Sequence, residues 1–166
     1  MKKTFFLFIL LFSKLFFSQK TDQFVINNYL ISFPKVVEFK NLNKDSGQYH
    51  FYDKNKSNIL VSIRDVSKME FYNSDFNKAQ LIEAFYKWDY DYWKSNSIGA
   101  EVNEISKKLD ENYILWETLL KDYDTIFLYG MIDNKIISLS INNDKLSKEK
   151  KVNYLTNLYQ NISKYK

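Results

Sequence analysis

His50 is the only histidine in this chain, so any chemistry that needs an imidazole must pass through it. It lies in the alternating segment QYHFY (Gln48 to Tyr52), where period-two geometry puts it on one face with Gln48 and Tyr52 and turns Tyr49 and Phe51 to the other. ILVSIRDV (Ile59 to Val66) follows across a turn, so the hydroxyl of Ser62 and the carboxylate of Asp65 are candidates to meet His50 across a hairpin as nucleophile and orienting acid. No G-x-S-x-G turn presents that serine. A partly exposed strand histidine accounts for the same residues without the strict geometry a triad demands. Cysteine is absent, which removes thiolate nucleophiles and disulfides. Zinc would then have one imidazole and otherwise only carboxylates, an unusual ligand set for that ion.

Carboxylates recur as near pairs: Asp89 with Asp91, Glu101 with Glu104, Asp110 with Glu111, and Asp122 with Asp124. Two facing carboxylates are what glycoside hydrolysis requires, and Asp122-Tyr123-Asp124 at a turn offers two of the several oxygens a calcium ion takes. The D-x-D-x-D-G run and trailing Glu of a calcium loop are absent, however, and Asp is also the ordinary residue of a solvated turn. Glycine occurs only at 47, 99 and 130, so there is no glycine-rich phosphate loop. These patterns imply no metal and no cofactor, and they assign no catalytic residue.

The segment YKWDYDYWK (Tyr86 to Lys94) is the most distinctive. At about 100° per helical residue, Leu81, Phe85, Trp88 and Tyr92 fall on one stripe suited to docking on a sheet, while Ile82, Tyr86, Tyr90 and Trp93 lie a quarter-turn or more away. Asp89 stands between the two. Tyr and Trp combine a flat apolar body with a polar tip, so Tyr86, Asp89, Tyr90 and Trp93 are the candidate ligand- or partner-binding residues. The alternative is one broad buried face with the tyrosine hydroxyls at its rim. With 14 Phe and 13 Tyr in the chain, a local aromatic cluster is not by itself a sign of function.

The elements that must position these residues follow from the periodicity. YLISFP (Tyr29 to Pro34) and KVVEFK (Lys35 to Lys40) read as short strands, with Pro34 ending the first or marking an edge. QYHFY and ILVSIRDV form a hairpin around DKNKSN (Asp53 to Asn58). A helix is expected over about residues 76 to 95, with Ser74 and Asp75 as caps and Gly99 beyond its end. EVNEISKKL (Glu101 to Leu109), NYILWETLL (Asn112 to Leu120), DTIFLYGMID (Asp124 to Asp133) and KIISLSIN (Lys135 to Asn142) then supply four strands. The third of these is apolar on both faces, as in a strand covered on both sides. A second helix, led by Ser147, is expected over about residues 147 to 165.

The chain opens with MKKTFFLFILLFSKLFFS: Lys2 and Lys3, an apolar run from Phe5 to Phe17, and a small residue. That is the form of a secretory signal peptide. The run is shorter than the roughly 20 residues that span a bilayer core, and Lys14 interrupts it. Residues 1–18 are therefore expected to be removed, leaving 19–166 as a single domain without a transmembrane segment and a periplasmic or secreted location. Removing Lys2, Lys3 and Lys14 from the 24 basic residues leaves 21 against 20 acids. A nearly neutral domain with interspersed charges lacks the field that binds phosphate backbones, which argues against nucleic acid as a partner.

The element order of three or four strands, a helix, four strands and a helix, together with Ile31-Ser32-Phe33-Pro34 in the first strand, resembles the PsbP-like superfamily. The Gly-Trp that often follows that proline is Val36-Val37 here. The resemblance implies an α+β fold: an antiparallel sheet of about seven strands with two helices, arranged as a three-layer α/β/α sandwich. It also implies an accessory role, since members mostly bind or help assemble other components. The expected function is a small exported, non-enzymatic envelope protein whose partner is an envelope protein or a small ligand. The alternatives are a secreted carboxylate-dependent hydrolase and a periplasmic immunity or inhibitor protein.

Overall fold

Strands form where the sequence alternates and stop where it supplies turn formers. The computed structural model describes residues 22–97, 99–120 and 123–166; the expected export segment and Asp122 lie outside the described residues. Strands β1 (Gln23–Ile26) and β2 (Tyr29–Ser32) turn at Asn27 and Asn28, whose φ values of 48° and 67° lie in the left-handed region that asparagine tolerates. A meander of β3 (Val37–Asn43), β4 (Gln48–Asp53) and β5 (Asn58–Asp65) follows. Asp53 sets the second of its turns, because its Oδ1 accepts from the backbone N–H groups of Asn55 and Ser57 at 2.8 Å each. After helix α1 (Lys78–Asn96) come β6 (Glu101–Lys108), β7 (Tyr113–Leu120), β8 (Tyr123–Ile132) and β9 (Lys135–Asn142), then helix α2 (Lys148–Gln160) and β10 (Ile162–Lys164).

The main sheet has seven strands in the order β3-β4-β5-β9-β8-β7-β6, with every neighbouring pair antiparallel. Since β5 lies beside β9 while β6 is at the far edge, the chain must cross β9, β8 and β7 before it can resume pairing. α1 makes that crossing on one face. α2 returns over the opposite face, which it shares with the small sheet β1-β2-β10. Both faces of β8 are consequently buried: Phe127 is 8% exposed under α1, and Leu128 is 0% exposed on the α2 side. The fold is α+β with three layers, as expected.

Two side-chain devices hold α2 down. Its Lys151 is fully buried and its ammonium is ion-paired with Asp124, while Lys148 pairs with the buried Glu117 at 2.8 Å; a desolvated charge needs such a partner. Tyr159 lies over Gly130 and donates to the carbonyls of Asn112 and Met131 at 2.9 and 3.0 Å. A Cβ on Gly130 would come within 2.7 Å of that ring and of Asn112 O, so this strand position has to be glycine for the helix to approach.

Three boundaries differ from the sequence expectation. α1 starts at Lys78 and is capped by Asn77, not by Ser74 or Asp75. Of these three residues only Asn77 has Gln or Glu three positions on, and the reciprocal pair forms: Asn77 Oδ1 accepts from Gln80 N at 3.0 Å and Gln80 Oε1 accepts from Asn77 N at 2.9 Å. α2 begins after the expected cap Ser147 but stops at Gln160, and Ile162–Lys164 pair with β2 instead. Extending the helix would leave the edge of β2 without backbone partners; pairing satisfies it and still buries Ile162. The strand at Gln23–Ile26 had no clear alternating signal, because only Phe24, Val25 and Ile26 carry apolar side chains there.

Candidate functional site

The rotation of α1 decides which of its residues are available. Leu81, Ile82 and Phe85 are buried, but Trp88 and Tyr92, expected on the docking stripe, are 39% and 57% exposed. The helix instead turns Tyr86, Asp89 and Trp93 toward the sheet. The sheet offers them aromatic partners: Tyr86 meets Trp116 edge-on with ring centroids 6.0 Å apart, and Trp93 lies 5.8 Å from Phe127. It also offers a hydroxyl, since Tyr129 donates to Asp89. Satisfying those polar groups under the helix outweighs burying two more apolar rings at its rim.

Burial pushes the Asp89 carboxyl above its ordinary value, with the bonds from Tyr129 and Trp93 and the nearby Arg64 charge opposing that rise. The phenol of Tyr129 is likewise held well above 10 by its burial and by Asp89, with Ser138 and Arg64 opposing. The Tyr129–Asp89 hydrogen bond therefore ties β8 to α1, with Ser138 opposite Tyr129 on β9. Of the four candidate residues, Asp89 makes this bond and Trp93 packs nearby on Phe127. Tyr86 and Tyr90 lie together on the β6 flank, 5.6 Å apart, with Lys107 over Tyr86 and Lys94 over Tyr90. All four are half-buried.

α1 lies over β6, β7 and β8, and next to it the same face carries small residues. The register sets Ser62 opposite Ser138, Leu60 opposite Ser140, and His50 opposite Leu60. One strand further, the same rows carry Phe127 and Tyr129 beneath the helix. Large side chains thus lie under α1 and small polar ones beside it. On this face Ser62 Oγ, His50 Nε2 and Arg64 Nε are buried without a hydrogen-bond partner among the described residues. Buried donors and acceptors are nearly always paired, so these mark an unfinished network.

Arg64 is the only arginine in the chain, and it forms no ion pair among the described residues. Gly47, with φ of 63°, turns the β3–β4 loop beside it, and a Cβ there would stand 3.9 Å from Arg64 Cδ. Arg64 also lines a cleft of about 610 Å³ at the end of the sheet, with Asn27, Asn28, Asp65, Lys68 and Lys135. Asp65, the acid expected to complete a triad, faces away from His50 and Ser62. It pairs with Lys135, whose ammonium holds it below the usual carboxylate range. Ser62 and His50 thus share a face without an orienting acid from that hairpin.

Among the described residues, three members of the expected carboxylate pairs are taken up by lysines. Asp91 binds Lys87 at 2.6 Å on the outside of α1, Glu104 binds Lys107, and Glu111 binds Lys108. Among the described residues no three His, Cys, Asp or Glu side chains gather where they could hold a metal, and no helix there is long and apolar enough to cross a membrane. Arg64, Ser138 and Ser140 were not singled out by sequence. The serines were legible in KIISLSIN, where the alternation assigns Ile137, Leu139 and Ile141 to one face and the two serines to the other.

No family model matches this sequence, and no curated protein sequence matches it. Among solved structures it is similar to the solution structure of cyanobacterial PsbP (CyanoP) from Synechocystis sp. PCC 6803, with a TM-score of 0.63 and 12% identity, over 87% of this chain and 92% of that one. At that identity the likeness speaks to architecture, and it agrees with the element order read from the sequence: this chain has a PsbP-like fold.

Proposed function

We propose that this protein is a small exported, non-enzymatic accessory of the cell envelope, which binds an envelope protein or a small ligand through the α1 side of its sheet. The observation that carries this reading is the state of that face: an aromatic helix flank over β6, β7 and β8 stands beside strands that carry His50, Ser62, Ser138 and Ser140. Trp88 and Tyr92 project outward there, and Tyr86, Asp89, Tyr90 and Trp93 are half-buried around them. Amphipathic aromatics beside unpaired polar groups suit recognition. Export is supported by Lys2, Lys3 and the apolar run from Phe5 to Phe17, interrupted only by Lys14, that follows them.

A photo-crosslinking residue at Tyr92, compared with one at the exposed Tyr165 beside the small sheet on the α2 face, tests the reading in intact cells. A discrete crosslinked product from Tyr92 alone, recovered from the envelope fraction with a processed N-terminus, is the expected result. Full-length protein confined to the cytoplasm, or identical products from both positions, would remove it.

A further inference from the structure

We infer that a cleft at the Asn142 end of the main sheet binds a neutral sugar ring. This rests on the reading of the protein as a binding accessory and names the class of a ligand for its α1 side. The register puts Tyr52, Asn58, Asn142 and Thr125 in one row across β4, β5, β9 and β8. Thr125 shares its face with Phe127, so the row lies on the α1 side, and Tyr123, two residues before Thr125, faces the same way. Neighbouring strands stand about 4.8 Å apart, which sets β4 and β8 about 14 Å apart with the two asparagines between the tyrosines. The cleft that these residues line holds about 320 Å³, toward the lower end of the range of small-molecule sites.

Its lining suits a ligand with an apolar face and a rim of hydroxyls. Tyr123 is 61% exposed, a flat amphipathic ring on which the C–H face of a pyranose can pack. Tyr52, which Lys40 covers from the edge strand β3, closes the opposite wall. Between them Asn55, Asn58 and Asn142 offer amides, which both donate and accept, as a sugar hydroxyl does. A purely apolar ligand would leave those amides unpaired. Lys56 and Lys145 face Asp144 at the rim, so only one positive charge is in excess and an ion has little to favour it. The walls are also braced in advance. Buried Asn143 donates to Asn55 O at 3.2 Å and to Ser57 Oγ at 2.8 Å, and accepts from Lys145 N at 2.7 Å, which locks the β4–β5 loop to the β9–α2 loop. Asn142 donates to Asp124 O and Thr125 Oγ1 at 3.1 and 3.2 Å, which fixes its amide in the cleft. Little ordering is then left for the ligand to impose.

Methyl glycosides of glucose, galactose, mannose and N-acetylglucosamine, titrated one at a time into the labelled full-length protein, test the inference through its side-chain amide and tyrosine ring signals. At least one should move the signals of Asn58, Asn142 and Tyr123 saturably, while sorbitol, which carries the hydroxyls without the ring, leaves them in place. Tyr123→Ala removes an exposed ring and spares the core; it should weaken the affinity by about tenfold or more with the melting temperature unchanged, and Tyr123→Phe should keep the affinity within about twofold. Sedimentation with purified cell-wall glycan separates the sources. A pellet that depends on Tyr123 assigns a glycan polymer, and its absence beside saturable glycoside binding assigns a free sugar. No saturable response to any of the glycosides, an equal response to sorbitol, or an undiminished affinity in Tyr123→Ala overturns the inference. If the Tyr92 crosslink persists through such a failure, the accessory reading stands without it.

Discussion

Asp89 shows how one buried carboxylate sets both the packing and the pH response of its surroundings. It sits on the face of α1 that meets the sheet, where Tyr129 donates to it and Arg64 lies within its field. Burial nevertheless dominates and raises its pKa above the ordinary 3.8. A raised carboxyl means that the folded protein holds a proton that the unfolded chain has already released. The benefit is complete below 3.8 and is lost as the pH climbs through the folded value. Asp89→Asn keeps an oxygen for Tyr129 and never ionises. The variant should therefore be more stable than the parent at pH 7 and lose that advantage as the pH falls toward 3.8, measured by urea denaturation across the range. A constant difference at every pH would place the ionisation elsewhere.

At the scale of elements, legibility followed the strength of the local signal. The hairpins around Asp53–Asn58 and Asp133–Asn134 were readable because alternation and turn formers agreed. The two-sided burial of β8 was readable because Phe127 and Leu128 are both apolar, and each now lies in a different cluster. Truncating either to Ala should cost about 2 to 5 kcal/mol in equilibrium unfolding, because a covered face cannot readily collapse around the lost volume. A near-neutral result at Phe127 would mean that α1 does not press on the sheet. The rotation of α1 was harder to read. Periodicity alone favoured Leu81, Phe85, Trp88 and Tyr92 as the docking stripe, and it could not register that Asp89 has a partner waiting on β8. The unpartnered Arg64 was equally invisible, since a charge on an alternating strand reads as solvated until the third dimension shows what stands beside it.

The architecture of the whole molecule depends on long-range pairing that sequence order only hints at. β5 and β9 join two meanders across some 70 residues, and the last strand, β10, reaches back to β2 near the start of the described chain. An antiparallel sheet with two covering helices followed from element order. The separate sheet β1-β2-β10 did not, because Ile162–Lys164 continues a helical apolar stripe and only the open edge of β2 draws it into a strand. That edge has a measurable consequence. Ile162 is buried opposite Ile31, and Tyr165 N donates to Asn28 O at 2.8 Å. A chain ending at residue 161 loses the burial of Ile162, worth about 1.5 to 3 kcal/mol, and also leaves the β2 backbone groups unpaired at the margin of the core. It should unfold at a lower denaturant midpoint with hydrogen exchange accelerated in β2, while β8 and β9 in the centre of the main sheet keep their relative protection. If β2 exchanged no faster than in the full chain, β10 would be a surface appendage and not the third strand that closes the α2 face.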